Sequence, residues 1–155
     1  MSDTQKVNHR VRAILLTEEG NLLLIKRLRD GFAPYWVLPG GGVEITDESF
    51  EAALHRELAE ELGGTAEVLH EVFTSEYPGW GDLQGWIVRH HYYVCRLVGY
   101  DISQRHGPEF SDPTRGQYIP ENFPLESAVL SELNIYAEPI KAYLVAHAAG
   151  LRSWL

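Results

Sequence analysis

Residues 36–64 read WVLPGGGVEITDESFEAALHRELAEELGG, and this stretch decides the fold that the chain is expected to adopt. It predicts a short strand over residues 36–38, then a glycine-rich loop, and then an acidic helix. Pro39 stops the strand, because proline cannot donate a hydrogen bond to a sheet. The three glycines at residues 40–42 let the backbone approach a ligand closely or adopt a positive φ angle.

The ends of the predicted helix carry residues with strong capping preferences. Thr46 or Asp47 can cap the N-terminus, and the helix dipole favours Glu48 in the first turn. Gly63 and Gly64 supply a left-handed stop at the other end. The helix is therefore expected to fill the space between these two sets of residues.

The predicted helix has an apolar face and an acidic face. An apolar residue recurs every four positions and predicts a buried stripe, formed by Phe50, Leu54, Leu58 and Leu62. Glu57, Glu60 and Glu61 lie within one turn of each other, so their carboxylates share one patch beside the stripe. Arg56 can pair with Glu60, which leaves two carboxylates without a helical partner.

This acidic patch has two interpretations. A solvent-exposed acidic face is the usual reason for a cluster of charges on a helix. Alternatively, the carboxylates bind a hard cation such as Mg²⁺, which prefers oxygen ligands and retains several waters. The glycines at a fixed distance before the helix favour the second interpretation.

The spacing of residues across the stretch resembles the Nudix box. Gly42 is followed by five residues and Glu48, and then by seven residues and the sequence RELAEELG at residues 56–63. Every fixed position of the box is met, and only the last slot, usually aliphatic, differs, because it holds Gly64. The chain is therefore identified as similar to the Nudix hydrolases.

The resemblance implies a fold and a reaction. The fold would be an α/β/α sandwich around a mixed β-sheet. The reaction would be the Mg²⁺-dependent hydrolysis of a nucleoside diphosphate linked to another moiety, with Mn²⁺ as a substitute ion. Water would attack a phosphorus of the diphosphate, and the residues that separate the substrate classes cannot be read from the box.

The resemblance also implies roles for the residues of the box. Glu57, Glu60 and Glu61 would bind the metal ion, and Glu61 or a carboxylate from a loop would be the catalytic base. Arg56 would orient a glutamate. Glu48 would support the loop or a water bound to the metal.

The run of glycines leaves one family role open between two residues. Counting back from the helix makes Gly42 the box glycine, whereas counting forward from residues 38–39 makes it Gly41. In the family, the backbone carbonyl just before the box glycine joins the metal shell. That carbonyl would belong to Gly40 or Gly41.

Length and composition favour one soluble domain. The chain has 155 residues, of which 45% are hydrophobic and 23% are charged, so residues 1–155 fit a single globular domain. The formal net charge of -9 argues against nucleic-acid or anionic-membrane partners but does not exclude a phosphorylated small substrate, and the resemblance implies a small-molecule nucleotide. Residues 1–6 are expected to fray. The sequence contains neither a secretory signal nor an apolar run of membrane-spanning length, which predicts a cytoplasmic protein.

The rest of the chain predicts a mixed α/β order. The expected strands cover residues 7–16, 22–27, 65–75, 83–98 and 117–123, and the expected helical segments cover residues 125–133 and 137–149. Residues 76–84 and 99–115 are expected to form loops.

Candidate substrate-binding residues lie outside the box. Arg27 ends a strand in a basic cluster and could grip a phosphate in bidentate fashion, although a solvated strand end is an equal explanation. Tyr77 and Trp80 could stack on a base or a sugar, although aromatic residues are more often buried in a core. His90 and His91 are adjacent on a strand and face opposite sides, so at most one of them is expected to line a pocket.

A further catalytic carboxylate is expected from a loop, because family members often supply one. We favour Glu109, since Pro108 restricts the backbone beside it and Phe110 could anchor the loop on apolar surface. Glu76 and Asp82, in the earlier loop, are the alternatives.

Two other functions are compatible with this fold. A regulatory Nudix domain would bind a nucleotide without hydrolysing it, but such domains usually break the box. A prenyl-diphosphate isomerase would need a catalytic cysteine, and the one cysteine, Cys95, lies in an apolar strand where a buried thiol is expected. Family members often form homodimers, which the sequence neither requires nor excludes.

Overall fold

The computed structural model describes residues 6–110 and 112–155, which form a mixed β-sheet with helices on both faces. The strands are β1 (Val7–Leu16), β2 (Asn21–Leu28), β3 (Tyr35–Val37), β4 (Gly40–Gly42), β5 (Gly64–Pro78), β6 (Ile87–Tyr100) and β7 (Gln117–Pro124). The helices are α1 (Phe50–Leu62), α2 (Ser127–Ser131) and α3 (Glu138–Leu151). This is the expected α/β/α arrangement.

The predicted fraying of residues 1–6 lies mostly outside the described residues. Residues 1–5 are not described, but the carbonyl of Lys6 accepts a hydrogen bond of 2.8 Å from the Ile87 backbone N–H. The last residue of the predicted frayed end therefore contacts the start of β6.

The sheet is organised around β1. This strand pairs in parallel with β6 along its whole length, and β6 pairs with β5 in antiparallel fashion. The hairpin of β1 and β2 is paired only beside its turn, at Leu15↔Leu23 and Leu16↔Leu22. Beyond these pairs the two strands separate, so β4 pairs with β1 and β3 pairs with β2. Strand β7 pairs with β2 and contains Pro120, in agreement with a position near a sheet edge.

The three glycines at residues 40–42 form strand β4, and the expected glycine-rich loop is therefore wrong. The reason is the close approach of β4 to β1. A Cβ atom on Gly40 would lie only 2.0 Å from the Val11 carbonyl oxygen, and Gly40 has a φ angle of +147°. A residue with a side chain would separate the two strands, so glycine permits pairing here.

The two faces of β1 belong to two separate cores. On one face, Ala13 and Leu15 pack with Leu58 of α1. On the other face, Ile14 packs with Leu144 of α3. Each of these side chains is at most 1% exposed, and complete burial of one leucine or isoleucine stabilises the fold by about 1.5–3 kcal/mol.

The N-terminus of α1 differs from the expectation. Ser49 caps the helix, and its Oγ accepts a hydrogen bond of 3.0 Å from the Ala52 backbone N–H. Thr46 and Asp47 therefore do not cap it. Glu48 precedes the cap and is exposed, so it does not lie in the first turn.

The C-terminus of α1 agrees with the expectation. Gly63 has a φ angle of +58°, and its N–H donates to the Ala59 carbonyl at 2.9 Å. The left-handed stop therefore rests on Gly63 alone, because Gly64 already begins β5. Among the described helices, none is long and apolar enough to cross a membrane.

Strand β5 is longer than predicted, whereas β6 begins four residues later and ends two residues later than the predicted strand over residues 83–98. Their pairing continues to Pro78↔Ile87 at one end and to Gly64↔Tyr100 at the other. Tyr77 therefore lies on a strand, whereas the sequence predicted a loop there. The two C-terminal helical segments were predicted correctly in kind, with ends that differ by a few residues.

Candidate active site

Arg56 fastens the segment after β4 to helix α1. Its Nη2 donates to the Gly42 carbonyl at 2.9 Å, and its Nε and Nη2 donate to the two carboxylate oxygens of Asp47 at 3.0 and 2.9 Å. Its Nη1 lies 3.0 Å from Glu57 and 3.3 Å from Glu60. One guanidinium therefore holds the segment and two box carboxylates in place.

The contact between Arg56 and Asp47 is the strongest part of this arrangement. The Asp47 side chain is only 6% exposed, so the fork-shaped pairing is shielded from water. Its hydrogen bonds from Arg56 lower the pKa of the Asp47 carboxyl. The same bonds raise the pKa of the Arg56 guanidinium. Sequence reasoning assigned Asp47 to the helix cap and so missed this role.

Two box carboxylates lie against the glycines of β4. A Cβ atom on Gly41 would be 2.5 Å from Oε1 of Glu57, so the missing side chain makes room for that carboxylate. Oε1 of Glu61 accepts a hydrogen bond of 3.3 Å from the Gly40 backbone N–H. Burial raises the pKa of the Glu57 carboxyl and raises that of Glu61 well above its ordinary value. We call Glu57, Glu60 and Glu61 the carboxylate edge.

The carboxylate edge is not closed into a complete ligand cage. Within residues 6–110 and 112–155, no three Asp, Glu, His or Cys side chains converge as a metal-binding set. Glu57 and Glu60 turn toward Arg56, whereas Glu61 turns toward Gly40. Divalent-ion binding would therefore require these side chains to turn toward a common point.

Two arginines of β1 adjoin the carboxylate edge. Arg12 donates from Nη1 to the carbonyls of Leu38 at 3.1 Å and Gly40 at 3.2 Å. Burial lowers the pKa of Arg10, the positive charge of Arg12 lowers it further, and the charges of the box glutamates oppose this shift. Sequence reasoning missed both arginines. Their i, i+2 spacing in an apolar strand was the available signal, because it places both on one face.

A cleft of about 880 Å³ opens beside Arg10 and Arg12. Its wall also contains His90 from β6 and Tyr77 from β5, and the Tyr77 hydroxyl lies 3.1 Å from Nε2 of His90. Trp80 extends into the solvent from the same wall and is 78% exposed. The two arginines therefore connect the carboxylate edge to a cleft with aromatic walls.

Comparison with known proteins identifies the family. The sequence model of the NUDIX domain matches residues 7–144. The chain belongs to the NUDIX family. As a Nudix pyrophosphohydrolase it hydrolyses a phosphoric anhydride, and the Nudix box lies where β4 meets α1. Among curated proteins, no sequence matches the chain.

Solved structures similar to this Nudix protein include three bacterial proteins. The E. coli ORF135 protein is 25% identical, with 97% of this chain and 94% of that chain covered and a TM-score of 0.63. A NUDIX hydrolase from Nitrosomonas europaea is 22% identical, with 95% and 92% covered and a TM-score of 0.63. The MutT NUDIX hydrolase from Burkholderia pseudomallei is 24% identical, with 92% and 98% covered and a TM-score of 0.57. At these identities the last two show the fold.

The Nudix fold brings most of the expected box residues together. Arg56 contacts Glu57, Glu60 and the carbonyl of Gly42. Glu48 lies apart from this group of contacts, because it is exposed on the segment before α1.

The expected substrate-binding residues separate into two groups. Tyr77 and Trp80 both line the cleft. Arg27 binds to other parts of the protein. Its guanidinium lies 3.7 Å from the Tyr118 ring centroid and donates hydrogen bonds to the backbone carbonyls of Gln117 and Arg115. The structure therefore places Arg10 and Arg12 in the cleft wall, rather than Arg27.

Glu109 lies in the short 3₁₀ turn Pro108–Phe110. Its charge contributes to the raised pKa of Glu61, although burial is the main cause, and the Phe110 ring packs edge-on against Tyr118 at 5.2 Å. This packing agrees with the expected anchoring of the loop. Glu109 is therefore close enough to the carboxylate edge for its charge to act on Glu61.

The alternative carboxylates lie in the cleft wall. Glu76 belongs to β5 and forms an ion pair with Arg89, whereas Asp82 is exposed on the turn that follows β5. Both residues line the cleft. Their arrangement is compatible with contacts to a bound substrate.

The two histidines of β6 face opposite sides, as predicted. His90 lines the cleft, whereas Nδ1 of His91 contacts Glu71 at 2.9 Å. Cys95 is completely buried in the core beneath α1, and burial raises the pKa of its thiol to about 12. A thiol in this position gives no support to the prenyl-diphosphate isomerase hypothesis.

Proposed function

We propose that this Nudix enzyme uses Mg²⁺ to hydrolyse a nucleoside diphosphate linked to another moiety. The observation that carries the proposal is the junction of the carboxylate edge with Arg10 and Arg12. Oxygen ligands for a cation and positive charges for phosphates lie side by side, at one border of a cleft large enough for a nucleotide.

The carboxylate edge has the chemistry that a divalent ion requires. Burial raises the pKa of the Glu57 and Glu61 carboxyls, so their charged forms lack sufficient compensation from the protein. Arg56 is already engaged by Asp47 and Gly42. A hard cation bound by oxygen would supply the missing positive charge, and Mn²⁺ should substitute for Mg²⁺.

The backbone carbonyl of Gly40 is the better candidate for the metal shell. Pro39 and Val43 both form hydrogen bonds to β1, of 2.8 and 3.0 Å. In an antiparallel pair, the backbone N–H and C=O groups of alternate residues point toward the partner strand. The N–H and C=O of Gly41 therefore point toward β1, whereas those of Gly40 point away from it. The contact of the Gly40 carbonyl with Arg12 supports this orientation.

In the proposed hydrolytic step, residues of this chain bind the phosphates, orient the box glutamates and accept a proton from water. A divalent ion, which Glu57, Glu60 and Glu61 would hold, would neutralise charge on phosphate oxygens and acidify a water. Arg10 and Arg12 bind the phosphates from the cleft side, and Arg56 keeps the box glutamates oriented. A water attacks one phosphorus while the bond from that phosphorus to the bridging oxygen breaks. The proton of the water passes to Glu61 or Glu109, and burial makes Glu61 a stronger base because it raises the pKa.

The remaining expectations concern partners and location. We propose that the ligand is a small nucleotide, because the net charge of -9 disfavours nucleic acids and anionic membranes. We also propose that the protein acts in the cytoplasm, and that residues 1–155 form a single domain. Whether the active form is a monomer or a homodimer is decided by light scattering at the protein concentration of the assay.

A panel of nucleotides tests the proposed function. The purified chain is incubated with Mg²⁺ and nucleoside triphosphates, ADP-ribose, sugar nucleotides or dinucleoside polyphosphates, and the released phosphate and nucleotide products are separated. We expect turnover of at least one compound, loss of turnover in excess chelator, and incorporation of ¹⁸O from labelled water into one phosphate product.

The rival function is a regulatory domain that only binds a nucleotide. Binding of a panel member without turnover in Mg²⁺ or Mn²⁺ would support that rival and contradict hydrolysis. Turnover that persists in excess chelator would contradict the metal assignment while leaving hydrolysis intact.

A further inference from the structure

One buried polar atom of the cleft has no partner among the residues that the structure describes. His90 is 8% exposed, and its Nδ1 is buried without a hydrogen bond. A buried polar atom usually has a partner, because its desolvation otherwise costs free energy. The same residue lines the cleft, so a bound ligand is a natural source of the missing partner.

The His90 ring is held in position by its neighbours. Its Nε2 lies 3.1 Å from the Tyr77 hydroxyl, and its ring stacks on Tyr92 with a centroid distance of 5.9 Å and an interplanar angle of 18°. These contacts fix the direction of Nδ1 before a ligand arrives. A contact that is organised in advance contributes to recognition without a further cost of ordering.

His90 is suited to an uncharged hydrogen-bonding group. Burial, together with the positive charges of Arg12 and Arg10, lowers the pKa of its imidazole to about 3. The ring is therefore neutral near pH 7 and makes one directional hydrogen bond through Nδ1. The adjacent arginines already provide charge for phosphates, and the exposed ring of Trp80 provides a face on which a base can stack.

We propose that His90 determines base specificity, with its Nδ1 forming a hydrogen bond to the nucleobase of the substrate. Tyr77 is the positioning residue, because it holds Nε2 and thereby aims Nδ1. This inference rests on the proposed function, since it assigns the cleft to the nucleoside half of the substrate. A site built to hydrogen-bond a substrate discriminates against analogues that leave its polar atom unpaired.

The test compares kcat/KM for ATP, GTP, CTP and UTP in the presence of Mg²⁺. The wild-type protein should prefer one base or one pair of bases. His90→Phe should lower kcat/KM for the preferred nucleotide by roughly 10- to 100-fold and flatten the preference, which is the range for one lost hydrogen bond that leaves its partner unpaired. His90→Asn should restore part of the preference, and Tyr77→Phe should reduce it less.

Arg10→Gln is the matched control from the same wall. It should lower kcat/KM for all four nucleotides by a similar factor, because phosphate contacts do not depend on the base. A wild-type protein that treats all bases alike would overturn the assignment. So would a His90→Phe variant that loses the same factor for every base, or a variant that loses nothing.

Binding of the four nucleoside monophosphates gives the same test without turnover. Calorimetry on the wild-type and His90→Phe proteins should show a preference that only the wild type possesses. The ¹⁵N resonance of His90 Nδ1 should shift on binding of the preferred monophosphate alone. If no member of the nucleotide panel is hydrolysed but this binding pattern is found, the hydrolytic function fails and the role of His90 stands.

Discussion

The carboxylate edge and the cleft meet at Arg10 and Arg12, but they are built in different ways. The edge comes from one 13-residue helix, and Arg56 of the same helix contacts two of its three carboxylates, Glu57 and Glu60. The cleft combines residues of β1, β5 and β6, and within residues 6–110 and 112–155 it leaves Nδ1 of His90 without a hydrogen-bond partner. In the proposed function, the edge performs the hydrolytic chemistry and the cleft selects the substrate.

Replacing Glu61 tests the proposed catalytic role of the carboxylate edge and should have the largest effect on turnover. Glu61→Gln retains the size of the side chain but removes a charge, so turnover should fall by roughly 10²- to 10⁴-fold. Steady-state kinetics with a substrate found by the nucleotide panel measures the loss. The fold should survive, because burial already disfavours the charged form of this carboxyl.

Glu51→Gln is the matched control for Glu61→Gln. Glu51 is an exposed carboxylate on the same helix and should be replaceable with little change in turnover. If Glu61→Gln were as active as Glu51→Gln, the carboxylate edge would be an ordinary solvated face.

The contact between Asp47 and Arg56 should have the largest effect on stability. Asp47→Asn removes a shielded charge that receives two hydrogen bonds from Arg56, and we expect a loss of about 2 kcal/mol in the free energy of unfolding. Urea denaturation measures this loss. Turnover should also fall, because the same guanidinium would no longer be fixed beside Glu57 and Glu60.

Glu44→Gln provides the comparison for Asp47→Asn on the same guanidinium. The Glu44 side chain is 59% exposed and lies 3.5 Å from Arg56, so its loss should change stability by less than about 0.5 kcal/mol. Equal effects of the two substitutions would show that Arg56 does not depend on its buried partner.

The two regions also explain how far the sequence could predict the site. Box residues such as Arg56 and Glu57 were assigned from sequence through the resemblance to the Nudix box, and helical spacing brings them together. Arg10 and His90 were not assigned to the site, since they meet only through the parallel register of β1 and β6. The strand formed by the glycines was likewise not predicted, because it depends on the close approach of Gly40 to β1, where a Cβ atom on Gly40 would lie 2.0 Å from the Val11 carbonyl oxygen.

Glu109 tests whether a distant loop contributes to the carboxylate edge. Glu109→Gln should lower turnover by at least about tenfold while the free energy of unfolding stays within about 0.5 kcal/mol. Kinetics and denaturation are measured on the same preparation. If Glu109→Gln is fully active while Asp82→Asn or Glu76→Gln is not, the additional carboxylate belongs to the cleft wall.

The pH dependence of stability tests the cleft and should show the smallest effect. The folded-state pKa of His90, about 3, lies below the ordinary histidine value of 6.5, so the unfolded chain binds the proton more readily. The stabilisation is therefore complete above pH 6.5 and is lost as the pH falls toward 3. Between pH 7 and 5 the wild type should lose on the order of 1 kcal/mol more than His90→Gln in urea denaturation. Parallel pH profiles for the two proteins would contradict the buried neutral state of His90.

The carboxylate edge and the cleft are proposed to form one metal and nucleotide site. Paramagnetic Mn²⁺ added to ¹⁵N-labelled protein tests this proposal, because it broadens the amide resonances nearest to the bound ion. We expect broadening to begin at residues 40–42 and 57–61, and to be lost in Glu57→Gln and Glu61→Gln. Addition of a non-hydrolysable nucleotide should then shift the resonances of Arg10, Arg12 and His90. Broadening centred elsewhere on the molecule, or nucleotide shifts away from the cleft, would contradict it.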